Sequence, residues 1–191
     1  KDVNAVVYSS AIKKNNPEIL AAKKKSIPIV SRADMLAELM RDKHSIAVAG
    51  SHGKTTTTSL VGSILQECKK DPTIVNGGII NAFSSNNRLG LGKWMVVEAD
   101  ESDGSFLRLP HEINIITNID REHLDYFKNF ENLMASFEEF STSIPFYGTT
   151  IICLENKNSR KLARKIKTRK VITYGINRKE ADLNIIKITI K

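Results

Sequence analysis

The sequence has few of the residues that mark disulfide-rich or membrane-spanning proteins. Among 191 residues there are two cysteines, Cys68 and Cys153, which form no motif. Two cysteines exclude a dense disulfide framework, so we expect ordinary buried thiols in a protein of a reducing cytoplasm. No segment approaches the ~20 consecutive apolar residues of a membrane helix, so we expect no membrane insertion. Because no apolar run follows Lys1-Asp2-Val3-Asn4, we also expect no signal peptide.

Positive charge is in excess. The formal net charge is +8 at pH 7, which is compatible with binding to nucleic acid, anionic membranes or polyphosphate ligands. Much of the excess lies in residues 157–170, a stretch without acidic residues. Leu162, Ala163 and Ile166 recur there at helical spacing, so we expect an amphipathic helix with a solvated basic face. A nucleic-acid surface is the alternative, but no aromatic residue interrupts the run to stack on bases.

Apolar segments alternate with helix signals along the chain. This pattern predicts an α/β fold with a mostly parallel sheet flanked by helices. We predict strands at residues 3–8, 27–30, 46–49, 73–75, 94–97, 113–119, 149–154, 171–174 and 183–190. We predict helices from 17 to about 25, after Ser31, after the loop at 50–53, around 133–144 and at 157–167. Asn76-Gly77-Gly78 is predicted as a turn and residues 84–87 as a loop.

The most informative stretch follows the apolar strand at residues 46–49. It reads Gly50-Ser51-His52-Gly53-Lys54-Thr55-Thr56. A glycine-bounded turn lets backbone N–H groups converge on an anion, and the N-terminus of the next helix adds its positive dipole end. Lys54 can then reach the β- and γ-phosphates of a nucleotide, and the Thr55 hydroxyl can bind Mg²⁺. Only Ser51 and His52 separate the two glycines, fewer than in the general phosphate-loop pattern.

Polar residues also follow two later strands. The strand at 94–97 continues into the acidic stretch Glu98-Ala99-Asp100-Glu101-Ser102-Asp103. Carboxylates at the carboxyl end of a buried parallel strand lie where open α/β sheets bind ligands, so one of them is expected to bind Mg²⁺. The strand at 113–119 is followed by several acids and His123, a candidate ligand for a metal or phosphate. The alternatives are an acidic surface loop and a structural histidine.

Together these motifs resemble those of the Mur ligases. The resemblance rests on residues 50–56, the acidic stretch at 98–103, and Thr117-Asn118-Ile119 with His123-Leu124-Asp125. It covers nearly the whole chain, and the short phosphate loop is the form that this family uses. It implies an incomplete phosphate-loop ATPase domain at 44–191, preceded at 1–43 by the end of a Rossmann-like UDP-sugar-binding domain. We expect the family's C-terminal domain to be absent and the chain to be a fragment.

The resemblance also implies an activity in peptidoglycan synthesis. Within the family the motifs are most similar to those of ligases in which ATP phosphorylates the lactyl carboxylate of UDP-N-acetylmuramate. The amine of L-alanine then attacks the acyl phosphate. Lys54, Glu98 and His123 are implied to be catalytic, with Thr55 and Glu98 at a first Mg²⁺ and His123 at a second. Residues 50–56 are implied to bind ATP, and Asn76, Ser102 and Asp103 to lie near the muramoyl substrate.

Several alternatives remain open from the sequence. A sibling ligase that attaches a whole tripeptide in muropeptide recycling shares the phosphate loop, although Ser102 and the triplet at 123–125 favour alanine addition. The chain is alternatively a non-catalytic nucleotide-binding fragment. His52 either orients the phosphate loop or contacts the ligand directly. Nothing in the sequence indicates the oligomeric state.

Overall fold

The structure is a computed structural model that describes residues 3–9, 11–80 and 85–186. Within them the strands form a two-stranded sheet and an eight-stranded sheet. The strand pairs are parallel except for one antiparallel pair near an edge of the large sheet. Helices flank the large sheet, so the predicted α/β architecture is confirmed. No helix among the described residues is long and apolar enough to cross a membrane.

The elements follow one another in the order expected for parallel strands joined by helical crossovers. The N-terminal segment contains β1 (Val6–Tyr8), α1 (Pro17–Lys24), β2 (Ile29–Ser31) and α2 (Arg32–Met40). The following elements are β3 (His44–Ala49), α3 (Lys54–Glu67), β4 (Thr73–Ile80), β5 (Ser85–Arg88), β6 (Trp94–Glu98), β7 (Ile113–Ile116), α4 (Leu124–Phe127), α5 (Phe130–Thr142), β8 (Thr149–Cys153), α6 (Lys157–Lys165), β9 (Lys170–Ile176) and β10 (Leu183–Ile185). A short 3-10 helix spans Ser105–Arg108.

The N-terminal helices begin where their capping residues predict. The Asn16 side chain accepts a hydrogen bond from the Glu18 N–H, and Pro17 occupies the first turn of α1. Ser31 caps α2 by accepting from the Asp34 N–H. Asp34 also forms an ion pair with Arg108, with Oδ1 and Nη1 2.9 Å apart. This contact joins the N-terminal segment to the region that follows β6.

The large sheet has the strand order β10-β9-β8-β7-β3-β6-β4-β5. Strand β3 therefore lies between β6 and β7 and is parallel to both. Because parallel strands end at the same edge, the residues after β3, β6 and β7 are brought close together. Chain segments that follow adjacent parallel strands form the usual ligand-binding crevice of an open α/β sheet.

The structure corrects two predictions beside this crevice. Strand β4 continues through Asn76-Gly77-Gly78, where a turn was predicted. Residues 85–87 of the loop predicted at 84–87 belong to the edge strand β5, which spans Ser85–Arg88. Strand β4 pairs with β6 up to Val75 and with β5 on its other side, with a register shift between Val75 and Ile80. Within this segment the Gly77 N–H donates to Glu98 Oε2, a hydrogen bond to a distant residue that the local glycine-rich sequence does not indicate.

Other strand predictions differ from the structure in length: β1 begins at Val6 rather than at residue 3, and β9 spans Lys170–Ile176 rather than 171–174. Strand β7 ends at Ile116 rather than Ile119, because the residues after it turn to contact the phosphate loop. Strand β10 ends at Ile185, and the later part of the strand predicted at 183–190 lies outside the described residues.

The core lies between the sheet and its helices. Phe106, Phe137 and Phe140 are fully buried, and the rings of Phe106 and Phe140 stack at 4.9 Å. Leu162 and Ile166 are buried while the basic residues Lys161 and Arg164 of α6 are exposed. The predicted amphipathic helix with a solvated basic face is therefore confirmed.

The expectation of two buried thiols is wrong for Cys68. Cys68 follows the last turn of α3 and is exposed, whereas Cys153 is half-buried at the end of β8. In α3, Val61 and Leu65 pack against the sheet, whereas Leu60 and Ile64 are exposed, and Cys68 follows Ile64 by four residues on that exposed face. Both cysteines are free thiols.

Candidate functional site

The phosphate loop connects β3 to α3 with two glycines in conformations that side chains disfavour. Gly50 has φ +134° and Gly53 has φ +79°. Gly53 is the N-cap of α3 and has no side chain to cap the helix. The first N–H groups of a 14-residue helix therefore point into the loop, where its positive dipole end favours an anion. Residues 50–56 lie together at this turn, as predicted.

The residues after β7 hold the phosphate loop in place. The Asn118 side chain accepts from the His52 N–H at 2.8 Å and donates to the His52 carbonyl at 2.9 Å. The Thr117 hydroxyl donates to the same carbonyl at 2.7 Å. The Ser51 hydroxyl in turn accepts from the Asp120 N–H. The loop conformation is therefore fixed by the neighbouring strand as well as by its own glycines.

Lys54 is bound to a buried carboxylate. Its Nζ lies 3.1 Å from both carboxylate oxygens of Glu101 and 2.8 Å from the Gly50 carbonyl oxygen. The Glu101 side chain is 1% exposed. Burial raises the pKa of Glu101, and the positive charge of Lys54 opposes that rise. The sequence motif contained Glu101, but no role was predicted for it.

Thr55 and Glu98, the two residues predicted to bind Mg²⁺, contact each other. The Thr55 hydroxyl donates to Glu98 Oε2 at 2.9 Å, and the Gly77 N–H donates to the same oxygen at 2.8 Å. A Cβ at position 77 would lie 3.2 Å from Glu98 Oε1, so glycine permits this approach. Hydroxyl and carboxylate oxygens are the ligands that Mg²⁺ prefers. The residues therefore fit a magnesium ion beside the phosphate loop.

His123 lies close to two carboxylates. Ligand atoms of Glu101, Glu122 and His123 all lie within 4.8 Å of one another, a spacing compatible with a metal ion. His123 has φ +57° and precedes α4. Its Nε2 is 3.8 Å from Glu101 Oε1. The three predicted catalytic residues, Lys54, Glu98 and His123, thus lie at the same edge of the sheet.

His52 faces acidic residues. Its Nε2 lies 3.4 Å from Asp120 Oδ2 and 3.6 Å from Glu122 Oε1, and its side chain is largely exposed. Its backbone is held by Asn118. The structure thus gives His52 a part in loop positioning through its backbone, and its ring remains accessible.

A cavity of about 600 Å³ opens between the N-terminal segment and the large sheet. The cavity is lined by Tyr8, Ser31, Arg32, Ala33, Leu36, Leu39, Val75, Asn76, Gly77, Asn87, Glu98, Asp100, Asp103, Ser105, Arg108 and Leu109. Glu98 therefore faces both the phosphate loop and this cavity. The charged part of the lining combines two arginines, Arg32 and Arg108, with three carboxylates, those of Glu98, Asp100 and Asp103.

Two of the three predicted substrate residues line the cavity. Asn76 donates from Nδ2 to the Ser59 hydroxyl, and its Oδ1 is buried without a hydrogen-bond partner in the described part of the chain. For Asp103, burial raises the pKa, but hydrogen bonds from Ser105 outweigh it and leave the pKa below its usual value. Ser102 is not among the lining residues, and its N–H donates to Asp100.

Sequence reasoning gave no role to the residues that position the site. Thr117 and Asn118 were recognised only as part of a motif, and Arg32 and Arg108 carried no signal. Glu101 was detectable in principle, because it follows a buried strand by three residues and lies in the same acidic stretch as Glu98.

This geometry can be compared with known protein families. Residues 48–191 match the Mur ligase middle domain, and residues 1–44 match a second model described as the Mur ligase family, catalytic domain. The chain belongs to the Mur ligase family. The resemblance predicted from the motifs is thereby confirmed.

Curated relatives in the Mur ligase family share one name. UDP-N-acetylmuramate–L-alanine ligase from Brucella anthropi is 54% identical over 97% of this chain and 39% of its own length. The protein of that name from Methylocella silvestris is 55% identical over 98% of this chain and 40% of its own length. The chain therefore spans about 40% of the length of these relatives.

Solved Mur ligase structures share the fold. UDP-N-acetylmuramate-alanine ligase MurC from Thermotoga maritima superposes with a TM-score of 0.76 at 29% identity, covering 93% of this chain and 40% of that one. A UDP-N-acetylmuramate:L-alanyl-gamma-D-glutamyl-meso-diaminopimelate ligase from Neisseria has a TM-score of 0.78 at 21% identity, covering 90% and 58%. At that identity the second likeness concerns the fold alone.

Proposed function

We propose that the full-length protein carrying this sequence is an ATP-dependent ligase that joins L-alanine to UDP-N-acetylmuramate in peptidoglycan synthesis. The observation that carries the proposal is the position of Glu98, which contacts Thr55 beside the phosphate loop and also lines the 600 Å³ cavity. This position lets one carboxylate bridge a nucleotide site and an acceptor site. The names of relatives at 54% identity support the choice of substrates.

The chemistry requires activation, because a carboxylate is a poor electrophile. Transfer of the γ-phosphoryl group of ATP to the lactyl carboxylate gives an acyl phosphate and ADP. The L-alanine amine attacks the acyl carbon, the amide bond forms, phosphate leaves and the amine loses a proton. The phosphoryl step depends mainly on positioning and charge neutralisation. Lys54 and the backbone N–H groups of residues 50–56 supply both the positioning and the charge neutralisation.

The proposed requirement for Mg²⁺ follows from the neighbouring side-chain oxygens of Thr55 and Glu98. Thr55 and Glu98 would hold one Mg²⁺, and His123 a second. Bound Mg²⁺ neutralises charge on the phosphates. Because nitrogen ligands are unusual for Mg²⁺, the role of His123 rests on the family resemblance and on its closeness to Glu101 and Glu122.

The cavity is the proposed site of UDP-N-acetylmuramate. Asn76 offers a buried amide oxygen, and Arg32 and Arg108 offer guanidinium groups to an anionic ligand. Asp103 also lines the cavity, and Ser102 immediately precedes Asp103 in the chain. We place residues 1–43 in the UDP-sugar-binding domain and residues 44–191 in the ATPase domain, with the cavity between them.

The proposed enzyme acts on small molecules in the cytoplasm, and no nucleic-acid partner is proposed. Helix α6 carries the basic run, but it buries Leu162, and Lys165 pairs with Glu138 of α5. A sequence-independent nucleic-acid surface would show steep salt dependence of binding. Weak binding to random DNA at physiological salt would agree with the proposal.

The direct test is release of phosphate from ATP by the full-length protein. We expect release only when UDP-N-acetylmuramate and L-alanine are both present with Mg²⁺. Release that requires a tripeptide in place of L-alanine would support the muropeptide-recycling alternative. Absence of release under every combination, with ATP still bound, would support the non-catalytic alternative.

A further inference from the structure

The proposed mechanism uses Glu101 only as a neighbour of His123 and assigns it no role towards Lys54. Both of its carboxylate oxygens lie 3.1 Å from Lys54 Nζ, and the Gly50 carbonyl oxygen lies 2.8 Å from the same atom. A lysine ammonium has three N–H donors. These three protein oxygens therefore equal in number the three N–H donors of Lys54. The same donors would contact a nucleotide phosphate.

The burial of Glu101 limits how far Lys54 can move. The carboxylate is 1% exposed and the Lys54 side chain 13% exposed, so solvent screens their attraction weakly. Leaving a buried carboxylate without a cation is strongly unfavourable. The next basic group is His123, whose Nε2 is 3.8 Å from Glu101 Oε1. Lys54 must therefore share its donors between Glu101 and any bound phosphate.

We propose that Glu101 is a positioning residue that fixes the Lys54 ammonium at the phosphate loop and competes with nucleotide phosphates for it. The inference rests on the proposed function, in which Lys54 contacts the β- and γ-phosphates. Competition weakens ground-state ATP binding, while fixed placement of Lys54 favours phosphoryl transfer. Removing the carboxylate charge therefore tightens ATP binding and slows turnover.

The test compares Glu101→Gln with the control Asp100→Asn in the full-length protein. Both variants remove one negative charge, but Asp100 accepts a hydrogen bond from the Ser102 N–H and not from Lys54. Kd for ATP is measured by calorimetry with Mg²⁺, and kcat by phosphate release. We expect Glu101→Gln to bind ATP about fivefold more tightly, with kcat lowered about tenfold or more. Because Asp100 lines the cavity proposed for UDP-N-acetylmuramate, it is a control only for the Kd of ATP measured without that substrate, which should change by less than about twofold.

Unchanged or weaker ATP binding in Glu101→Gln would overturn the role of Glu101, as would an equal tightening in Asp100→Asn. A wild-type protein that binds no ATP would contradict the proposed function itself, so the two failures are distinguishable. Thermal unfolding tests the pair even if Glu101→Gln folds poorly. We expect Lys54→Met to be less stable than Lys54→Met combined with Glu101→Gln, because only the single variant leaves a buried charge unpaired. The reverse order would overturn the inference.

Discussion

At the scale of single residues, the two glycines of the phosphate loop differ in their surroundings. A Cβ on Gly50 would lie 2.2 Å from Thr117 Oγ1 and 2.8 Å from the Asn118 carbonyl oxygen. A Cβ on Gly53 would meet nothing within 4 Å. Both residues have positive φ, so backbone strain applies to both and steric overlap applies to Gly50 alone. The backbone conformation therefore favours glycine at both positions, and lack of space for a side chain favours it at Gly50 only.

Gly50→Ala should therefore destabilise the protein more than Gly53→Ala. The positive φ of Gly53 predicts a loss of about 1–2 kcal/mol in the free energy of unfolding for Gly53→Ala. For Gly50→Ala we expect a larger loss, together with weaker ATP binding, because the loop must move away from Thr117. Urea unfolding monitored by circular dichroism measures the difference. Equal losses would show that overlap with Thr117 has no energetic effect.

In the proposed function, the negative charge of Glu98 serves the magnesium site. Glu98→Gln keeps the size of the side chain and an oxygen for the Gly77 N–H. We expect a higher Mg²⁺ concentration for half-maximal activity, with a change of less than about 1 kcal/mol in the free energy of unfolding. Magnesium titration of phosphate release and thermal unfolding provide the two measurements. A normal Mg²⁺ response with a large loss of stability would make Glu98 a structural residue.

At the scale of elements, the site depends on how β7 ends. The strand was predicted to continue to Ile119, but after Ile116 the chain turns and bonds to the phosphate loop. The turn at Asn76-Gly77-Gly78 was also predicted wrongly, since β4 continues there and the Gly77 N–H donates to the Glu98 side chain. The conformational preferences of a short segment do not include hydrogen bonds to residues that are distant in the sequence. The elements themselves were predictable because apolar runs and capping residues are local signals.

Thr117→Val and Thr117→Ser test this contact between elements. Valine has the shape of threonine but no hydroxyl, so the His52 carbonyl loses a donor. We expect Thr117→Val to lower the free energy of unfolding by about 1–3 kcal/mol and to weaken ATP binding. Thr117→Ser retains the hydroxyl and should bind ATP within about threefold of wild type. Equal ATP affinities in the two variants would contradict a positioning role for this hydroxyl.

At the scale of the whole molecule, one buried histidine links stability to pH. His111 is 4% exposed, with Nδ1 2.7 Å from the Leu109 carbonyl oxygen and Nε2 3.2 Å from that of Phe140. Burial lowers the pKa of His111 below its ordinary value of 6.5, and the two carbonyls oppose this only in part. The folded protein therefore keeps His111 neutral where the unfolded chain is protonated.

The direction in which stability changes with pH follows from whether the folded or the unfolded state binds more protons. Above pH 6.5 His111 is neutral in both states and contributes no slope, whereas below it the unfolded chain takes up a proton first. Stability should therefore fall as pH drops from 6.5 towards the folded-state pKa, by up to about 1.4 kcal/mol per pH unit. Urea unfolding between pH 7 and pH 5 measures this slope. A slope that persists unchanged in His111→Gln would assign it to other groups.

The site as a whole was predictable only where its residues follow strands in recognisable motifs. Lys54 and Thr55 were identified from the glycine-bounded loop after β3. Glu98 and His123 were identified from the polar stretches after two later strands, and the family resemblance implied their roles. The Lys54–Glu101 pair was not identified, since two side chains 47 positions apart meet only once β3 and β6 are adjacent. The cavity was missed for the same reason, because its lining comes from both the N-terminal segment and the large sheet.

The central claim is that this edge of the sheet activates a carboxylate by phosphorylation. The most direct test uses UDP-N-acetylmuramate labelled with ¹⁸O in its lactyl carboxylate, together with ATP, Mg²⁺, L-alanine and the full-length protein. Mass spectrometry of the released phosphate shows whether a carboxylate oxygen has been transferred. We predict that the phosphate carries one ¹⁸O and that UDP-N-acetylmuramoyl-L-alanine forms in equal amount. Phosphate without ¹⁸O, despite product formation, would contradict the acyl phosphate route.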